Sequence, residues 1–122
     1  MMKRSMFQVY VKNSVAAAEF YKEAFDAEIL CEYKDENGNY LHAELSVFGQ
    51  VLSMSEARED SVTGNTMQLC LHMGEGREAA VERAYNVLGE SAVIDYPLGP
   101  CMFSPYMFGL IDKFGVSWCV FV

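Results

Sequence analysis

The sequence predicts an α+β fold of two successive modules, each a strand, a helix and three more strands. Alternation of apolar and polar residues marks strands at 6–11, 40–48 and 51–56, and again at 67–73, 102–110 and 116–122. Behind the first strand of each half lies an apolar stripe of helical period: Ala17, Phe20, Tyr21 and Ala24, then Ala80, Val81, Ala84, Val87 and Leu88. The order of periods repeats although the residues mostly do not, which reads as an ancient duplication. Each copy is too small to bury a helix face alone, so the two are expected to share a core. A curled sheet with its helices on the outer face leaves the inner face free to hold a ligand.

Each element has a local reason. Phe7, Val9 and Val11 alternate with Met6, Gln8 and Tyr10, giving a greasy and a mixed face. Asn13-Ser14 is the expected N-cap of the first helix, which ends near Asp26-Ala27. A strand at 28–33 follows, and Asn37-Gly38 is expected to turn with positive φ at both central residues. Gly49-Gln50 joins the next two strands, and the polar run 57–65 is read as the linker. In the second module Gly74-Glu75-Gly76 turns into a helix at 78–88 with Gly89 as its C-terminal cap. Strands at 92–96, 102–110 and 116–122 complete it, Pro97 and Pro100 bound a loop, and 112–115 closes the last hairpin.

With 122 residues and 52% hydrophobic content, a single domain is expected, with module one at about 1–58 and module two at about 66–122. A net charge of −8, without a basic cluster beyond Lys3-Arg4, argues against nucleic acid and anionic membrane as partners. The N-terminus shows neither a signal peptide nor a membrane span, so a cytoplasmic location is expected. Cys31, Cys70, Cys101 and Cys119, each in or beside an apolar strand, lack metal-binding spacing and read as four buried free thiols in a reducing compartment.

Positions 13–27 (NSVAAAEFYKEAFDA), 37–45 (NGNYLHAEL) and 109–118 (GLIDKFGVSW) together resemble the PhnB-like branch of the vicinal oxygen chelate superfamily. Glyoxalase I, bleomycin-resistance proteins and extradiol dioxygenases belong to the same superfamily. The ending D-x-F-G-x-x-W, at Asp112, Phe114, Gly115 and Trp118, is the most specific element. The resemblance implies paired βαβββ modules in a U-shaped half-barrel sheet with helices outside, a homodimer, and a divalent metal in the cavity of the enzymatic members. The ligand positions of those enzymes fall here on Met6, with Gln8 one inward step away, on or near Glu44, on Gln68 and on Cys119. Only Glu44 suits a hard divalent ion. A catalytic metal needs three protein ligands and an open position, so tight metal binding is expected to be absent, and no other cofactor is implied. Asp26 stands where the family has Gly.

The residues themselves mark one face. On the third strand Leu41, Ala43, Leu45 and Val47 point one way, and Tyr40, His42, Glu44, Ser46 and Phe48 the other. A helix covers only one of these faces, so the second set is expected on the concave side. Gln8, Tyr10, Gln68, Cys70 and His72 are placed there too, with Ser104 and Tyr106 as contributors. The candidate ligand-binding residues are therefore Gln8, Tyr10, His42, Glu44, Gln68 and Tyr106, with Glu44 the best single metal candidate. Trp118, alternating with Val116 and Val120, is expected as a buried anchor. The Met- and aromatic-rich run 101–108 offers either core packing or a pocket wall.

No nucleophile elbow, catalytic triad or phosphate loop occurs. The sequence thus leads to a cytoplasmic homodimer that binds a small, partly apolar molecule between its modules. Two alternatives stand beside it. One is a divalent-metal-dependent lyase or dioxygenase of glyoxalase type, with Glu44 and one or two of His42, Gln8 and Gln68 on the ion. The other is a drug-sequestering resistance protein, which fits the acidic charge if the ligand is cationic.

Overall fold

Period-two runs become strands and period-3.6 runs become helices, twice over. The computed structural model describes residues 1–122 as two compact units, Met1–Val62 and Thr63–Val122. The first holds β1 (Phe7–Val11), α1 (Ser14–Phe25), β2 (Glu28–Lys34), β3 (Tyr40–Val47) and β4 (Gln50–Glu56). The second holds β5 (Leu69–His72), α2 (Glu78–Leu88), β6 (Val93–Gly99), β7 (Met107–Ile111) and β8 (Ser117–Phe121). Two four-stranded mixed sheets result, ordered β1-β4-β3-β2 and β5-β8-β7-β6. In each, the first strand of the module pairs in parallel with the last, and the other neighbours are antiparallel. Two modules of strand, helix and three strands make an α+β fold.

Register fixes which side chains share a face. In the first unit, Val9 opposes Met54 and Met54 opposes Ala43, while Phe7, Leu52 and Leu45 form the next row. This apolar face receives α1, whose Ala17, Ala18, Phe20, Tyr21, Ala24 and Phe25 are buried. In the second unit Leu71, Val120 and Phe108 form one row and Leu69, Trp118 and Leu110 another, and α2 buries Val81, Ala84 and Leu88 in that unit's core. Trp118 is the expected anchor, fully buried, and its indole Nε1 donates to Asp112 Oδ2 at 2.9 Å.

Asp112 explains the D-x-F-G-x-x-W signature. Its other carboxylate oxygen, Oδ1, accepts the backbone N–H groups of Phe114 and Val116 at 2.8 and 3.1 Å, while Gly115 takes φ +88°. One buried carboxylate thus shapes the turn and holds the Trp. Asp35 makes the same turn, its Oδ1 accepting the N–H groups of Asn37 and Asn39, with Gly38 at φ +82°. Here the structure departs from the expected Asn-Gly turn: only Gly38 is left-handed, because Asp35 stabilises a tighter loop through its own side chain.

Other departures are local. Asn13 lies in the left-handed region without a side-chain cap; α1 is instead capped by Glu56 at the end of β4, described below. Gly89 is the C-terminal cap of α2 as expected, though in the right-handed region, its N–H reaching the Tyr85 carbonyl, and the left-handed residue nearby is Ser91. Asp26, at φ 50°, does adopt the left-handed conformation at the end of α1. Phe48 leaves the His42 face: with Gly49 it forms the left-handed β3–β4 turn, and its ring meets Phe25 edge-on at 6.2 Å. Strand β6 runs through Pro97, which its edge position and broken register tolerate, and β7 begins only at Met107.

Candidate functional site

Because α1 occupies one face of the first sheet, the residues one step out of phase line the other. Gln8 opposes Ser53, Ser53 opposes Glu44, and Glu44 opposes Cys31, a single row across all four strands. One step along, Tyr10 opposes Ser55 and His42 opposes Tyr33. Gln8 Nε2 ties the rows together by donating to Ser55 Oγ at 3.1 Å. Tyr10 and Tyr33 leave their rings exposed at 64% and 61%. This face is polar at its centre and aromatic at its margins.

Glu44 is the centre. Arg4, in the segment before β1, meets its carboxylate with both terminal nitrogens, Nη1 to Oε1 at 2.8 Å and Nη2 to Oε2 at 3.0 Å. His42 Nε2 lies 2.9 Å from Oε2 and donates to it, since an ionised carboxylate only accepts. Glu44 is 8% exposed, so its charge needs these partners. The hydrogen bonds from Arg4 and then His42 outweigh desolvation and hold the Glu44 carboxyl down at about 2. The same contact raises the Arg4 guanidinium above its ordinary value.

The remaining sequence candidates lie elsewhere. Gln68, just before β5, points Nε2 toward Ser117 Oγ at 3.4 Å and the Trp118 carbonyl at 3.5 Å. Tyr106 precedes β7, and its hydroxyl donates to Glu82 of α2 at 3.3 Å. Ser104 is buried, donating to the Val122 carbonyl at 2.7 Å. In the second sheet the row equivalent to that of Glu44 is Cys70, Cys119, Gly109 and Tyr96. Gly109 holds the place of Glu44, and a Cβ there would sit 3.4 Å from the Tyr96 ring. His72 stacks on Phe121 at 4.5 Å, and Phe103 meets the same ring edge-on. The second face is therefore thiol and aromatic, with no counterpart of the carboxylate.

Sequence reasoning missed Arg4 and Cys31. Arg4 carries no local signal, because it is brought to Glu44 only by tertiary placement across forty positions. Cys31 was readable: it alternates with Tyr33 on β2, which sets both on the polar face.

Neither a family model nor a curated protein matches the sequence. Solved structures do. A PhnB protein of Bacillus cereus is 26% identical, with 98% of each chain covered and a TM-score of 0.81. A glyoxalase/bleomycin resistance protein/dioxygenase family enzyme of Burkholderia phytofirmans is 14% identical over 95% of this chain and 94% of that one, with a TM-score of 0.67. A variant of the fosfomycin resistance protein FosX of Listeria monocytogenes, complexed with Mn(II) and 1S,2S-dihydroxypropylphosphonic acid, is 13% identical over 99% and 93%, with a TM-score of 0.72. The fold is that of the vicinal oxygen chelate superfamily.

The four residues that the resemblance implies as ligands, Met6, Glu44, Gln68 and Cys119, do not together fit a hard divalent ion. Met6 offers only a thioether, and its Sδ accepts a hydrogen bond from the buried Ser53 Oγ. Glu44 is the one hard oxygen donor among them, its oxygens held here by Arg4. Burial, then the neighbouring Cys70, push the Cys119 thiol up to about 11, so it stays protonated. Gln68 has only a neutral amide Oε1 to offer, which accepts from the Cys70 thiol at 3.8 Å.

Proposed function

We propose that this chain is a small-molecule-binding protein of the PhnB-like type, and that its ligand is held on the polar face of the first unit. The supporting observation is Glu44: a carboxylate kept ionised at the centre of a helix-free sheet face, flanked by His42, Gln8 and exposed tyrosine rings. Charged groups of this kind fix orientation in ligand sites, while aromatic margins supply contact area. Arg4, with a side chain 47% exposed, is a replaceable partner for Glu44. A ligand bearing a guanidinium or amine takes the same two oxygens and stacks its apolar body on Tyr10 and Tyr33. Calorimetric titration with cationic hits from a thermal-shift screen tests this. Glu44→Gln should weaken their binding by about 1–3 kcal/mol and leave neutral ligands unaffected; equal affinity for every cationic hit removes Glu44 from the site.

The functional unit proposed is a two-fold homodimer, supported by the open edges that β1 and β2 leave on the first sheet. Light scattering reporting a monomer at micromolar concentration would count against it. No helix is long and apolar enough to cross a membrane. The four cysteines are all free thiols, of which only Cys119 is buried and not all four as expected; free thiols agree with work in a reducing compartment such as the cytoplasm.

A further inference from the structure

Cys31, His42 and Glu44 come from two adjacent strands and share one face. Cys31 faces Glu44 across the β2–β3 ladder, and His42 precedes Glu44 by two positions on the same side. Sγ, the imidazole nitrogen and a carboxylate oxygen all lie within 4.8 Å of one another, and one pair, His42 Nε2 to Glu44 Oε2, is already at 2.9 Å. A tetrahedral Zn2+ with bonds of roughly 2.0–2.3 Å holds its ligand atoms roughly 3.3–3.7 Å apart, so side-chain rotation alone closes the set. Thiolate, imidazole and carboxylate are the donors Zn2+ prefers.

We propose that Cys31, His42 and Glu44 form a Zn2+ site on the first unit, in which the metal takes the place now held by the Arg4 guanidinium. The charge supports the exchange. At present one carboxylate is balanced by one guanidinium. On binding, the Cys31 thiol gives up its proton to solvent, Arg4 swings out, and Zn2+ is balanced by one thiolate and one carboxylate, with neutral His42 as third ligand. All three donors belong to Met1–Val62, so the site needs nothing from the second unit and none of Met6, Gln68 or Cys119. It shares Glu44 with the organic cation proposed above, so the two would compete for the place of Arg4, but failure of the Zn2+ site leaves that reading standing.

Titration of the metal-free protein with Co2+ as a spectroscopic stand-in for Zn2+ tests the assignment. One equivalent should produce a near-ultraviolet thiolate-to-cobalt band and tetrahedral d–d bands, all bleached by Zn2+. Cys31→Ser should abolish the near-ultraviolet band, His42→Gln should weaken binding, and Cys70→Ser should change nothing. Arg4→Ala, relieved of the competing cation, should bind Zn2+ more tightly. Absence of the band in the wild type, its survival in Cys31→Ser, or its loss in Cys70→Ser overturns the site. Unchanged or weaker Zn2+ binding by Arg4→Ala overturns the exchange with the guanidinium.

Discussion

Arg4 and Glu44 form a two-pronged ion pair across forty positions of chain, at 2.8 and 3.0 Å. The geometry is the fork-to-fork match that makes Arg more selective than Lys toward carboxylates. It tethers the segment ahead of β1 to the sheet face and decides the charge state of Glu44.

The pH dependence follows from that pair. Glu44 is depressed to about 2 in the folded chain, so its contribution to stability is fully present above the ordinary carboxylate value and is lost as pH falls toward 2. Arg4→Ala should raise the Glu44 midpoint, read by carbon NMR of the side-chain carboxyl. An unmoved midpoint would show that His42 alone sets the value.

Glu56 caps α1 from a distance. Its carboxylate accepts the N–H of Asn13 at 2.8 Å, and the N–H and hydroxyl of Ser14 at 2.9 and 2.8 Å. Burial pushes the Glu56 carboxyl up, but these bonds outweigh it and hold it below its ordinary value. Its stabilisation is therefore present above the ordinary carboxylate range and fades as pH falls through the depressed value. Glu56→Ala should cost about 1–2 kcal/mol, measured by urea unfolding at pH 7, with a smaller cost in acid.

Asp112 should be the more sensitive position. Asp112→Ala strips acceptors from Trp118 Nε1 and two turn N–H groups, and should destabilise the second unit by on the order of 3 kcal/mol. Asp112→Asn keeps one carbonyl acceptor and should lose less. Fluorescence of Trp118, the sole tryptophan, reports this unfolding directly.

The thiols should separate by reactivity. Cys70 is exposed, whereas Cys119, its register partner, is buried and protonated up to about pH 11. Alkylation with iodoacetamide at pH 8, followed by peptide mass spectrometry, should label Cys70 and spare Cys119. Equal labelling would mean that β8 opens readily.

The fold was legible because it rests on period. Alternation in β1, β3 and β4 sorted Val9, Ala43 and Met54 from Gln8, His42 and Glu44, and the stripe of α1 said which set is covered. Caps and turns were less legible: Glu56 lies forty-two positions from the Ser14 it caps, and Asp35 overrides the preference of Asn-Gly through its own side chain. The site was half legible for the same reason. Strand phase places Gln8, Tyr10, His42 and Glu44 together, but phase is silent on Arg4, which has none. Phase is also silent on Tyr106, which lies just ahead of β7 and reaches Glu82 of α2.

The two aspartate turns bear on the history of the chain. Asp35 closes the β2–β3 hairpin, whereas Asp112 closes β7–β8, a joint whose counterpart in the first copy is the Phe48-Gly49 turn. Equivalent positions do not share the motif; unequal ones do. The likeness of the two turns is therefore convergence upon a cheap local solution and not inheritance from a common half. An alignment of the halves drawn to these similar loops would set Glu44 against Phe121, while the ladders set it against Gly109. Equivalence between the two units is therefore read from backbone register and not from likeness of their loops.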